Sequence, residues 1–420
     1  MLNRAAVPFA LTMILGCSLL GPLGCANHKH PARPDPLVVR QIPAELQADL
    51  APVVEANTAF ALSLYARLKE REGNLSFSPY GISTALAMTW AGARDTTEQE
   101  MARTLHFVLP QERIHPIFGA VQQSLERGAG LGGYRLNIAN RLWGQQGHPW
   151  LPPFLDLTRM QYEAELAALD FASNPETCRQ TINAWVLEKT AGKIDELLPP
   201  GILDATTKLV LTNAIYFKGQ WEHRFEASQT RNRAFTLLSG QVVQVPTMQQ
   251  EGELGLAETT TASILVLPYS GLDLSMVILL PHEANGLAAL EAQLTPQDLA
   301  AWLGAVRPGA VVMTLPRFRT TSEFALKSTL AEMGMNAAFD PNTADFSGMD
   351  GRRDLYITAV VHKGFVEVNE EGTEAAAATG VIVGPTSAGP SFVADHPFVF
   401  LIRDSVTGSI LFLGRIVDPR

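Results

Sequence analysis

The chain has 420 residues, 46% apolar and 18% charged, enough apolar material for a large buried core, and this excludes a chain disordered as a whole. Its formal net charge of −10 argues against a basic nucleic-acid-binding face, and 9 His with 3 Cys leave little material for metal clusters. Length alone predicts two or three domains.

Met1–Arg4 carries one positive charge, 5–23 is apolar, and Asn27, His28 and Lys29 end the stretch. No second apolar segment or basic stop-transfer flank follows, so it reads as a secretory signal and not a spanning helix. Gly16-Cys17 and Gly24-Cys25 each resemble bacterial lipoprotein cleavage sites, where lipid is attached to the Cys after a small residue. Cys17 has the better residues upstream and Cys25 the better junction. The segment predicts export, as a cell-envelope lipoprotein or an extracellular or periplasmic protein, from a bacterial source. An ordinary cleaved signal is the alternative. Residues 1–25 are then the signal, and 26–49, with three prolines between His30 and Pro36, a tether. Cys178 is the one thiol left for the folded part. It lies in the first turn of a helix running to Lys189, where a thiol pKa can fall, but a packing or surface role is expected.

After Pro43 the pattern turns helical, with Phe60, Leu64 and Leu68 at four-residue spacing. Ser78-Pro79 predicts a helix start, Ser as cap and Pro in the first turn, with Ile82, Leu86 and Trp90 on one face. Residues 97–105 and 182–189 read as helices, 134–143 as an alternating strand, and the charge-free run 209–217 as a buried strand. From about Ala234 short strands dominate: 242–248, 263–267, 274–280 and 311–315, interrupted by helices over 287–294, 297–303 and 326–333. Residues 355–369 predict an unusually long strand. Residues 398–403 and 410–417 predict a hairpin with Thr407-Gly408 near its turn. Helices first and strands later give an α+β layout.

Enzyme motifs are weak. Gly128–Gly133 fits the dinucleotide fingerprint literally, but a helical stretch precedes it and a strand follows, the reverse of what a phosphate at a helix N-terminus requires, so a solvent loop is expected. The carboxylates between Asp345 and Asp354 do not fit a calcium loop and read as a turn cluster. No histidines share a paired-ligand spacing.

Residues 370–391 stand out. Between two strands, this stretch carries no aromatic residue, no Lys or Arg, and four consecutive alanines. It is longer than an ordinary loop. Thr373, Ala375, Ala377 and Thr379 alternate with Glu374, Ala376, Ala378 and Gly380, small and Pro-free at period two, so this half could slot into a sheet at little steric cost.

Glu370-Glu371-Gly372-Thr373-Glu374-Ala375-Ala376-Ala377-Ala378-Thr379 resembles the hinge of the serpins. Phe392 to Phe400 resembles their C-terminal signature. Asn74 to Pro79 with Ser83, Thr212 to Gly219 with Trp221, Ala344 to Gly348, and His362 to Val368 also match, in order and at family spacing, over about residues 50–417. Gly364 stands where the family commonly has Ala. The resemblance implies one serpin domain over 50–420: an α+β fold with a large central mixed β-sheet, further sheets, about nine helices and an exposed reactive-centre loop at 370–391. It implies a suicide inhibitor of serine proteases and not an enzyme. The protease attacks the loop, and the freed hinge inserts into the sheet and drags the acyl-enzyme with it. Ser83, Asn213 and His362 match positions beneath the sheet opening, and Trp221 the position where insertion starts. Counts from Gly372 and from Pro397 agree on Thr386–Ser387 as the reactive bond. No Lys or Arg lies between Lys363 and Arg403, which disfavours a trypsin-like target, and the small, β-branched neighbourhood suits an elastase-like or subtilisin-like protease. No basic stripe marks residues 93–106, so glycosaminoglycan activation is not expected. No cofactor and no nucleic acid are expected, a monomer is expected, and a lipid at the N-terminus would allow membrane association. A serpin fold without inhibition, a binding or carrier protein, is the alternative.

Overall fold

Ser78 fixes where the first buried helix begins. Its hydroxyl accepts the Gly81 N–H at 3.0 Å, and Pro79 occupies the first helical position, where a missing N–H costs nothing. The helix Pro79–Trp90 is buried over its whole length. Ser83, Thr84 and Thr89 are buried along with its apolar residues, so the helix lies inside the protein on every face.

The computed structural model describes residues 40–373 and 390–420. In chain order the α-helices are α1 (Gln47–Leu68), α2 (Pro79–Trp90), α3 (Asp95–Thr104), α4 (Gln111–Gly130), α5 (Pro152–Tyr162), α6 (Pro175–Lys189), α7 (Leu287–Gln293), α8 (Pro296–Ala305), α9 (Lys327–Glu332) and α10 (Ser347–Asp350). The strands are β1 (Leu75–Phe77), β2 (Tyr134–Gln145), β3 (Ala167–Leu169), β4 (Leu209–Gln220), β5 (Arg231–Thr236), β6 (Val242–Glu258), β7 (Ala262–Pro268), β8 (Leu274–Pro281), β9 (Arg307–Pro316), β10 (Phe318–Ala325), β11 (Val360–Asn369), β12 (Gly372–Thr373), β13 (Ser391–Val393), β14 (Phe398–Asp404) and β15 (Ile410–Ile416).

They form two sheets. One has nine strands in the order β1-β15-β14-β8-β7-β6-β9-β13, with β5 paired to β6. The other is mixed and six-stranded, in the order β10-β11-β12-β4-β2-β3. Its central strand β4 is covered on both faces. Leu209, Leu211, Ile215 and Phe217 enter the main core, while Val210 and Ala214 join Trp143, Cys178, Ile182 and Val361 in a second cluster beneath α6. Burial on both faces is why residues 209–217 carry no charge.

Most expected elements are present with longer bounds, and four expectations change. The described residues lie in one compact unit, not two or three. The tether does not extend to 49: Arg40 and Ile42 are buried, and Ala44–Leu46 is a short 3-10 turn leading into α1. The strand expected over 355–369 starts at Val360. Leu355 and Ile357 are buried in alternation, but the Ile357 N–H bonds to the Ala338 carbonyl and not to a strand, so the period-two pattern reported burial and not pairing. Gly128 and Gly130 are the last turn of α4 and not a solvent loop; only Gly132, with φ +81°, forms the turn into β2.

Candidate functional site

β4 and β11 set the site. They run parallel and pair directly over five register positions, Leu211–Ile215 against Val360–Gly364. Beyond Ile215 and Gly364 no described strand lies between them until the chain turns back at Glu370-Glu371. There Gly372–Thr373 enters as β12, antiparallel both to β11 (Val368 opposite Thr373) and to β4 (Gly219 opposite Thr373). The six-stranded sheet is thus closed at one end, open in the middle, and already started by two residues at the other.

Several contacts hold that start. Gly372 has φ +152°, and a Cβ there would sit 1.9 Å from the Gly219 carbonyl oxygen, so only glycine passes. The Thr373 hydroxyl is 2.7 Å from the Tyr269 hydroxyl. Tyr269 stacks on Trp221 with centroids 4.6 Å apart, and the Trp221 indole N–H donates to the Asn369 carbonyl at 2.9 Å. The Trp221 backbone N–H donates to the Glu371 carbonyl and the Phe225 N–H to the Glu370 carbonyl, each at 2.9 Å. The Glu370 carboxylate accepts from Arg317 Nε at 2.7 Å and from the Thr230 hydroxyl. Burial raises its pKa, but the Arg317 and Thr230 hydrogen bonds outweigh that and leave the carboxyl below its ordinary range. The expectation of an exposed loop over 370–391 is corrected at both ends: Glu370, Gly372 and Thr373 are buried, and Ser391 opens β13, parallel to β9. Glu374, Ala375, Ala376, Ala377, Ala378, Thr379, Thr386 and Ser387 lie outside the described residues, as do Cys17 and Cys25.

In the middle of the direct pairing, two positions inside the opening, His362 and Asn213 meet. They are register partners across β11 and β4. His362 is fully buried, and the Ser78 N–H donates to its Nε2 at 3.0 Å, so Nδ1 carries the proton and donates to Asn213 Oδ1 at 2.6 Å. The Asn213 amide in turn donates to Asn140 Oδ1 on β2. Trp221 thus stands at the β12 end of the opening, and Asn213 and His362 lie two positions inside its paired end. Ser83 is buried in α2, but its hydroxyl makes no hydrogen bond among the described residues. Ser78, Asn140, Tyr269, Arg317 and Thr230 were missed. Asn140, a polar residue inside an alternating strand, was the readable signal; Arg317 gave none.

Burial holds the His362 pKa at about 3. The unfolded chain takes up this proton near pH 6.5, so the neutral, bonded form stabilises the fold fully above that pH and the contribution is lost as pH falls towards 3. Protonation would also point an N–H at the Ser78 N–H. The urea midpoint should fall between pH 7 and pH 4 more steeply in the wild type than in a His362→Gln variant; parallel pH profiles would contradict this. A single such histidine can contribute up to about 1.4 kcal/mol per pH unit.

Other candidates carry no chemistry. Cys178 is buried, and burial pushes its thiol up, not down. The turn near Asp345 does gather a histidine: His148 Nε2 lies 2.8 Å from Asp350, with Asp354 close by. Asp350 also accepts the Arg352 N–H, so this group closes the turn after α10.

The family model described as Serpin (serine protease inhibitor) matches residues 55–419. The leukocyte elastase inhibitor of Bos taurus is 45% identical over 380 residues, covering 87% of this chain and 98% of its own, and that of Homo sapiens is 44% identical with the same coverage. Among solved structures, uncleaved ovalbumin aligns with TM-score 0.78 at 30% identity, over 87% of this chain and 100% of its own. Maspin aligns with TM-score 0.82 at 28% identity, over 89% and 100%. The two elastase inhibitors come from vertebrates and lend no support to a bacterial lipoprotein origin. The fold, the opened sheet and these matches agree: the chain belongs to the serpin family of serine protease inhibitors.

Proposed function

We propose that this protein inhibits serine proteases as a suicide substrate, by cleavage at Thr386–Ser387 and insertion of residues 374–383 between β4 and β11. One observation carries the reading. Where β4 and β11 pair directly, partners differ by 149 in residue number, as in Asn213 and His362, and the same offset holds where both flank Thr373. A strand continuing from Thr373 thus needs no slip of either neighbour. On that register Ala375 would face Phe217 and Val366, Ala377 would face Ile215 and Gly364, and Val381 would face Leu211 and Val360. Thr379 would come between Asn213 and His362, a hydroxyl between two polar groups. Insertion replaces one short parallel ladder by two antiparallel ones, which pair better per residue.

Fully extended, residues 372–386 span about 50 Å, the width of a domain. A protease held by an ester at Thr386 would be pulled across the molecule, its triad and oxyanion hole distorted, and deacylation would stall. The relatives named leukocyte elastase inhibitor support an elastase-like target, as do the small residues around Thr386. Mixing with elastase-like and subtilisin-like proteases should give a covalent complex that survives SDS. Cleaved protein without a complex would overturn inhibition and favour a binding role on the same fold.

Export is proposed on residues 1–29 alone, with lipid on Cys25 or Cys17. The full chain expressed in a bacterial host should partition into detergent, and a Cys17→Ser/Cys25→Ser double variant should not. Equal partitioning would contradict lipidation.

A further inference from the structure

Arg40 lies ahead of the stretch that the family model matches, in what the sequence marks as tether, and yet its side chain is wholly buried. Its guanidinium forms ion pairs with Asp273 at 3.3 Å and Asp404 at 2.9 Å, and both carboxylate side chains are themselves fully buried. Asp273 sits between β7 and β8, and Asp404 ends β14. The third partner is α4: Arg40 Nε donates to the Ser124 carbonyl at 3.0 Å, and the Ser124 hydroxyl donates back to the Arg40 carbonyl at 2.8 Å. Gly128 makes the room, since a Cβ there would stand 2.7 Å from Arg40 Cδ and 2.9 Å from Asp273 Oδ2. The next residues stay docked, with the Gln41 carbonyl bonded to Arg127 and Ile42 buried.

Two buried carboxylates beside one another repel unless a cation lies between them, and removing one member of a buried ion group leaves an uncompensated charge. Charge complementarity here is specific to a planar, forked cation: three acceptors on three elements converge on one guanidinium. We infer that Asp273, Asp404 and Ser124 form a guanidinium-binding site whose occupant is the chain's own Arg40, so that the segment ahead of the serpin-matched region is a clip that fastens α4, the β7–β8 turn and the β14–β15 hairpin together. The same turn carries Tyr269, whose hydroxyl lies 2.7 Å from that of Thr373, so the clip and the start of β12 share the β7–β8 turn.

The test is chemical rescue in the full chain. An Arg40→Ala variant should lose heat resistance, read as a thermal midpoint lower by several degrees. Ethylguanidinium should restore it in a saturable way, while ethylammonium at the same ionic strength should not, and neither should move the wild type. An unchanged midpoint, or equal response to both cations, would overturn the inference. Should the alanine variant fail to fold, Arg40→Met is compared with Arg40→Met/Asp273→Asn. The double variant should be the more heat-resistant and better expressed of the two; a double variant no better than the single would overturn it equally.

Discussion

An Ala375→Arg variant is expected to be cut by its target protease and to leave no SDS-stable complex. The register that starts at Thr373 would set residue 375 between Phe217 and Val366, both 1% exposed. An arginine there would bury an unpaired cation on an apolar face. Breaking the balance of a buried charge costs about 3–5 kcal/mol, enough to slow insertion well behind deacylation. The variant would turn over as a substrate, while Ala375→Ser, small and still able to enter, should keep trapping. A stable complex with the arginine variant would show that this residue does not enter the sheet. Denaturing gel electrophoresis with both variants decides the matter, because loop cleavage without complex separates failed insertion from failed recognition.

Thr386→Arg should redirect the inhibitor. Nothing in the hinge is touched, so insertion is retained, and only the side chain offered to the protease pocket changes. A trypsin-like enzyme, whose pocket holds a carboxylate, should then be trapped faster by on the order of 100-fold, and an elastase-like enzyme slower by a similar factor. The association rate constants of both proteases measure this directly. If Ser387 or Pro385 were the recognised residue, arginine at 386 would leave the trypsin-like rate near its starting value, and the scissile bond would have to be moved.

How far the sequence could be read depended on how local each cause was. The Ser78 cap, the charge-free run 209–217 of β4 and the Thr407-Gly408 turn rest on neighbouring residues, and each is in place. The position of the site came from the hinge and signature residues by resemblance; Asn213 and His362 are bonded to each other at the paired end of the opening, and Trp221 stands at its β12 end. What was missed depends on partners far along the chain. Arg317 and Thr230 reach Glu370 from 53 and 140 residues away, and Ser78 reaches His362 across 284. Arg40 follows the three prolines that mark the tether; the two carboxylates that bury it lie 233 residues away and further. Leu355 and Ile357 alternate like a strand because they are buried like one, and pairing is a property of the neighbour, which a local pattern does not contain.

The low charge of the whole chain has a local meaning in this light. No charged residue lies between Glu374 and Ser391, the stretch that would have to change from solvent to sheet. The claim at the centre of this account is that the stretch, once cut, becomes the missing strand. Nicking the chain between Thr379 and Ser391 with a protease that is not trapped, and then heating intact and nicked protein side by side, tests it most directly. Insertion predicts that the nicked form survives temperatures that unfold the intact one, since two antiparallel ladders would fill the gap between β4 and β11. A nicked form that unfolds at the same temperature as the intact protein, or below it, would contradict the account.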